Sequence, residues 1–194
     1  MLEQIGIIFG YLAVAGGCFI YVGKTRKALA ITKFSVESLW LISYILQGGL
    51  WTMLILTVIA LARQVVFYYK YSKKWASSPL WLYAFLLLTC VSPVIEILDK
   101  GFSLGLLATL LLPTIGSIFI IFVYYTKNPI TAKKLGLPSS LLYFSYAIVT
   151  KQGPLIASGI IGIPITVTSL VLHIRDEKRK NLLDKQQIEG DKND

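Results

Sequence analysis

Between Ile5 and Ile174 the chain is a succession of apolar runs separated by short polar turns, and this pattern leaves few folds open to it. A bilayer core about 30 Å thick is crossed by roughly 20 helical residues. Segments 5–22, 50–69, 80–98, 103–125 and 154–174 have that character. Two further runs, 34–47 and 138–150, are shorter, about 20 Å of helix at 1.5 Å per residue. Only 15% of the residues are charged, against about 25% in a soluble domain, and 55% are hydrophobic. A water-soluble single domain and a disordered chain are therefore excluded. A nucleic-acid binder is excluded as well, because the basic residues lie in clusters between apolar runs and not on a folded polar face.

The charges decide whether the two short runs cross. If all seven segments span, one side receives Lys24, Arg26, Lys27 and Lys33, then Lys70, Lys73 and Lys74, then Lys127, Lys133 and Lys134, and finally the basic tail. The other side receives Lys100 and Lys151, with Glu3, Glu96 and Asp99 nearby. Positive loops stay cytoplasmic, so a multi-pass protein with its N-terminus outside and its C-terminus in the cytoplasm is expected. The opening Met1-Leu2-Glu3-Gln4 lacks the basic n-region of a cleaved signal, so the first run reads as a retained spanning helix. Residues 176–194 are polar and read as a mobile cytoplasmic tail, either a solvated end or a segment for a partner or lipid.

The halves resemble each other. Phe19-Ile20-Tyr21-Val22-Gly23-Lys24 matches Phe122-Val123-Tyr124-Tyr125-Thr126-Lys127, and Ser38-Leu39 with Ser43-Tyr44 matches Ser140-Leu141 with Ser145-Tyr146, at offsets of 103 and 102. The expected fold is all-α: seven transmembrane helices as two parallel three-helix repeats joined by a linker helix, 3+1+3. The boundaries are 1–75 for the first repeat, 76–101 for the linker, 102–175 for the second repeat and 176–194 for the tail. Parallel repeats are a transporter plan, and short segments at matching positions point to a central site. The competing reading is that the short helices start earlier, with Lys33 or Lys134 reaching to the interface.

Polar residues at membrane depth name the candidate site. Arg63 lies about 13 residues into the third run, close to the midplane, where an arginine costs at least about 2.5–3.5 kcal/mol. Such a residue marks a solute path, pairs with a carboxylate (Glu37 is the nearest candidate) or reaches for headgroups. A guanidinium also suits an anionic group held in bidentate fashion. The second helix carries Glu37, Trp40, Ser43, Tyr44 and Gln47 on one stripe, and the sixth carries Ser139, Tyr143, Tyr146 and Thr150. Two such stripes line one cavity or serve as helix-packing contacts. The substrate-binding set is thus Arg63, Trp40, Ser43, Tyr44, Gln47, Tyr143 and Tyr146.

Several other features carry structural readings. Pro93, Pro113 and Pro164 each remove a backbone donor inside an apolar segment and read as static kinks or as hinges. Gly6, Gly10 and Gly16-Gly17 give close helix contact, with homo-oligomerisation the lesser reading. Trp51, Trp75 and Trp81 anchor at interfaces. Cys18 and Cys90 read as buried free thiols. The lone His173 has no ligand-spaced neighbour, and no catalytic constellation or phosphate loop is present. No enzyme activity, metal or cofactor is expected.

The stretch from Arg26 through Trp40, Tyr44, Gly48 and Gly49 to Arg63-Gln64-Val65-Val66-Phe67, together with Leu112-Pro113-Thr114-Ile115-Gly116 and Ile174-Arg175 before a basic tail, resembles the YgjV-type bacterial inner-membrane proteins. The resemblance covers roughly residues 4–180. That family is distantly similar to the SWEETs and other Pro-Gln-loop proteins, which implies a fold of two three-helix bundles in the bacterial inner membrane. The chain has no Pro-Gln dipeptide, no proline in its first three apolar segments and no Asn within any segment, so the resemblance does not extend to sugar.

The functional expectation is a facilitator or secondary transporter that moves a small polar or anionic metabolite by alternating access. The alternative is a non-transport membrane protein, acting as an assembly factor, a sensor or a lipid- or partner-binding module. The partners expected are the lipid bilayer, a small solute and a second copy of the chain.

Overall fold

The computed structural model describes residues 1–19, 26–48, 50–69, 78–126 and 129–190, without the side chains of 19, 26–30, 129–130, 173 and 176–190. These residues form seven helices: α1 (Leu2–Phe19), α2 (Arg26–Gln47), α3 (Trp51–Tyr69), α4 (Leu80–Lys100), α5 (Leu104–Tyr125), α6 (Pro129–Val149) and α7 (Gly153–Gly190). Four are long and apolar enough to cross a membrane: α3, α4, α5 and the 153–172 part of α7. The apolar part of α1 is shorter, Leu2–Cys18.

The two short apolar runs belong to full-length helices. α2 has 22 residues and α6 has 21, because each begins in the polar stretch before its apolar run. Pro138 lies inside α6 and does not start it. A helix propagates through polar residues as readily as through apolar ones, so hydropathy understates its length. Likewise α7 runs on to Gly190, past its last apolar turn, where the sequence suggested a mobile tail. Lys24, Lys70, Lys73, Lys74, Trp75, Lys127 and residues 191–194 lie outside the described residues, as do most of the repeat match at 19–24 and the side chains of Arg26 and Lys27.

Three tight turns join α2 to α3, α4 to α5 and α6 to α7. Gly48 (φ +70°) and Gly101 (φ +81°) supply the left-handed backbone in the first two, where a side chain is disfavoured. Lys151 takes φ +55° in the third. Ser103 caps α5 by accepting the Leu106 N–H at 3.1 Å. These turns mark what we call the upper end of the bundle. Glu96, buried near the end of α4, accepts the Thr52 N–H at the start of α3 (2.9 Å) and pairs with Lys100 (2.7 Å). Trp51 Nε1 donates to Asp99 beside it (3.0 Å).

Each helix packs on its chain neighbours, α1 also meets α7, and α3 meets α5. Helices α1, α2, α3, α5, α6 and α7 therefore close a ring, and α4 brackets the α3–α5 seam from outside. Similar ties hold α1 to α2 and α5 to α6. Ser43 donates to the Gly6 carbonyl (2.7 Å) and Ser139 to the Gly116 carbonyl (2.8 Å). Four residues on, Gln47 and Tyr143 lie over those same glycines. The ties differ in height: Gly6 lies in the second turn of α1, Gly116 in the fourth turn of α5.

The outer surface of the bundle is apolar, and its interior combines an apolar core with buried polar side chains. Leu80, Tyr83, Leu87, Val91, Val94 and Leu98 expose one apolar stripe of α4. Thr52, Thr57, Arg63, Gln64, Thr89, Ser92, Glu96, Thr114, Ser117 and Ser139 are buried. Cys18 and Cys90, expected inside, are exposed. On a helix whose outer face is apolar, a thiol is as compatible with that surface as with the core. The glycines of α1 serve intramolecular contacts: Gly6 and Gly16 against α2, and Gly10 against Ser43 and Pro154 of α7.

Candidate functional site

Inside the ring lies a cavity of about 360 Å³, lined by residues of all six ring helices and by none of α4. This is within the range of roughly 300–1,000 Å³ of small-molecule sites. The contact of α1 with Pro154, together with Tyr11 lying beside Gly153, closes the α1–α7 seam near its upper end. Lower down, Gly17 and Gly162 both line the cavity, and an added Cβ at either would meet no atom within 4 Å.

Four of the seven sequence-named residues line this space: Arg63, Trp40, Tyr44 and Tyr143. Trp40 and Tyr44 stack with centroids 5.6 Å apart and planes at 17°. Tyr143 shares a hydrogen bond with Ser117 across α5 and α6 (2.5 Å). The other three lie outside the lining. Ser43 bonds to Gly6, Gln47 Nε2 donates to Ser43 Oγ (2.7 Å), and Tyr146 is in the apolar core with Phe85, Met53 and Ile121.

Arg63 is 5% exposed. Its guanidinium lies over the Tyr124 ring, 4.8 Å from the centroid, and its Nε has no hydrogen-bond partner. Among the described residues no carboxylate approaches within the 4.0 Å of an ion pair. A cation–π contact offers about 0.5–2 kcal/mol, against an effective cost of several kcal/mol for burying an unpaired ion. The ring alone therefore does not offset the burial. Glu37, one turn before Trp40, lines the same cavity and feels both Arg63 and Lys33 without bonding to either.

Beneath Arg63, near the lower end of α5, Tyr124 is a polar hub that sequence reasoning did not single out. Lys33 Nζ (3.3 Å) and Gln64 Nε2 (2.5 Å) donate to its hydroxyl, and Phe67 meets its ring edge-on at 5.0 Å. The available signal was Gln64 beside Arg63 in an apolar run. The α1 and α7 walls, built from Ala13, Gly17, Ser158, Gly159 and Gly162 among others, carried none, because small residues look alike whether they pack or line a space. No cluster of three or more metal-ligating side chains occurs among the described residues.

No family model matches the chain, and neither does any curated protein or solved structure.

Proposed function

We propose that the chain is an integral membrane protein that carries a small polar or anionic solute across the bilayer as a facilitator or secondary transporter. One observation carries this reading: a buried, unpaired Arg63 faces a solute-sized cavity ringed by six helices. An arginine inside a spanning bundle faces its interior or a water-filled cavity and is by default a functional-site candidate. Support for the membrane setting comes from four long apolar helices and an apolar outer surface. The distribution of lysines and arginines along the sequence supports an N-terminus outside and a C-terminus in the cytoplasm. The resemblance to YgjV-type proteins favours the bacterial inner membrane. In this reading the six ring helices are the two SWEET-like three-helix units, α4 is their linker, and alternating access rocks one unit against the other. No chemistry is performed on the solute.

Proteoliposomes preloaded with unlabelled solute test this. Counterflow of a labelled anion or zwitterion with wild-type protein, absent with Arg63→Gln, is the expected result. Equal flux in both sinks the reading.

A second reading, a non-transport assembly factor, sensor or lipid- or partner-binding module, is favoured by the continuation of α7 to Gly190. Its signature is a partner that co-purifies with the full chain and is lost on deleting 176–194.

A further inference from the structure

The cavity holds a second ionisable side chain without a partner, and the two together specify more than an anion. Glu37 has no hydrogen bond or ion pair among the described residues, and neither does Arg63, yet both line one space. Lys33, one turn from Glu37 on the same helix, is turned instead to the Tyr124 hydroxyl. Four of the lining hydroxyls donate to backbone carbonyls. Thr57 donates to Met53 O (2.7 Å), Ser139 to Gly116 O (2.8 Å), Ser140 to Gly136 O (3.0 Å) and Thr166 to Gly162 O (2.8 Å). A simple anion would satisfy Arg63 and be repelled by Glu37; a simple amine would do the reverse. One class of small molecule satisfies both without adding net charge.

We propose that the solute is a small zwitterion, a carboxylate and an ammonium on the same or neighbouring carbons with an apolar side chain, as in an apolar amino acid. Its carboxylate takes the edge of the Arg63 guanidinium that Tyr124 leaves open. Its ammonium sits between Glu37 and the face of Trp40, where a carboxylate and an aromatic ring both favour a cation. Its side chain lies against the apolar part of the lining, with Met53 and Leu56. This rests on the solute-carrier reading above and narrows it to one chemical class.

The test compares leucine with two trimmed analogues, 4-methylpentanoate (no ammonium) and 3-methylbutylamine (no carboxylate), binding to wild-type protein in lipid nanodiscs. Each missing charge-assisted contact is expected to weaken binding about 10- to 100-fold. Glu37→Gln is expected to remove the preference for leucine over 4-methylpentanoate while retaining the acid. Because the analogue series uses only wild-type protein, it stands even if a variant fails to fold. Binding of 4-methylpentanoate as tight as leucine overturns the zwitterion and leaves an anion carrier intact. Binding by none of the three, nor by other carboxylates, overturns both.

Discussion

Arg63 is held in place by aromatic and apolar neighbours, with no charge partner of its own. The residues around it divide by the direction each points. At about 100° per residue, the stripe from Glu37 to Gln47 is about 120° wide. Its Glu37–Trp40–Tyr44 part turns to the cavity, while Ser43 and Gln47, on the far side, turn to α1. Spacing along a helix shows that residues share a broad face; it does not divide that face between a void and a neighbouring helix. Only the position of α1 does so, and no local pattern encodes it. Ser43→Ala removes the donor to Gly6 and the acceptor of Gln47. It is expected to destabilise the fold by about 1–3 kcal/mol without altering solute selectivity. Thermal unfolding and the binding profile of the variant check this.

At the scale of elements, the bundle depends on contacts that hydropathy does not reveal. Glu96 reads in the sequence as an interfacial charge, yet it is 2% exposed and caps α3 from α4. The start of a helix carries orphan N–H donors, and a carboxylate there is stabilising. Glu96→Ala is expected to lower stability by about 1.5–3 kcal/mol, measured as the unfolding midpoint in detergent. The glycines of α7 separate packing from passage. A Cβ at Gly159 overlaps the Phe144 ring, whereas one at Gly162 meets nothing and enters the cavity. Gly159→Ala is expected to destabilise by about 1–3 kcal/mol. Gly162→Leu is expected to leave the midpoint unchanged and abolish counterflow; counterflow at the wild-type rate means the solute does not pass there. The existence of every helix was legible from apolar runs and charge alternation. Their lengths were not, since α2 and α6 begin in polar sequence and α7 continues into it.

At the scale of the whole molecule, six helices with an apolar outer surface enclose a cavity, and the orientation proposed for them rests on the basic clusters of the sequence. In a Cys18→Ala, Cys90→Ala background, a cysteine at Gly101 is expected to react with an impermeant thiol reagent in intact cells. One at Asp194 is expected to react only after lysis, and the reverse pattern inverts the topology. A cavity is one of the two readings that the stripes on α2 and α6 leave open, but the part of its wall that α1 and α7 supply is not legible, because small residues such as Gly17 and Gly162 look alike whether they pack or line a space. The most direct test of the account is the thermal stability of the purified protein against a panel of carboxylates and zwitterions, run beside Arg63→Gln. A ligand at 100 times its Kd adds about 2.7 kcal/mol to the folded state. The account predicts a raised midpoint in the wild type for at least one compound and none in a folded Arg63→Gln variant. An equal rise in both proteins, or no rise with any compound, contradicts a solute site at Arg63.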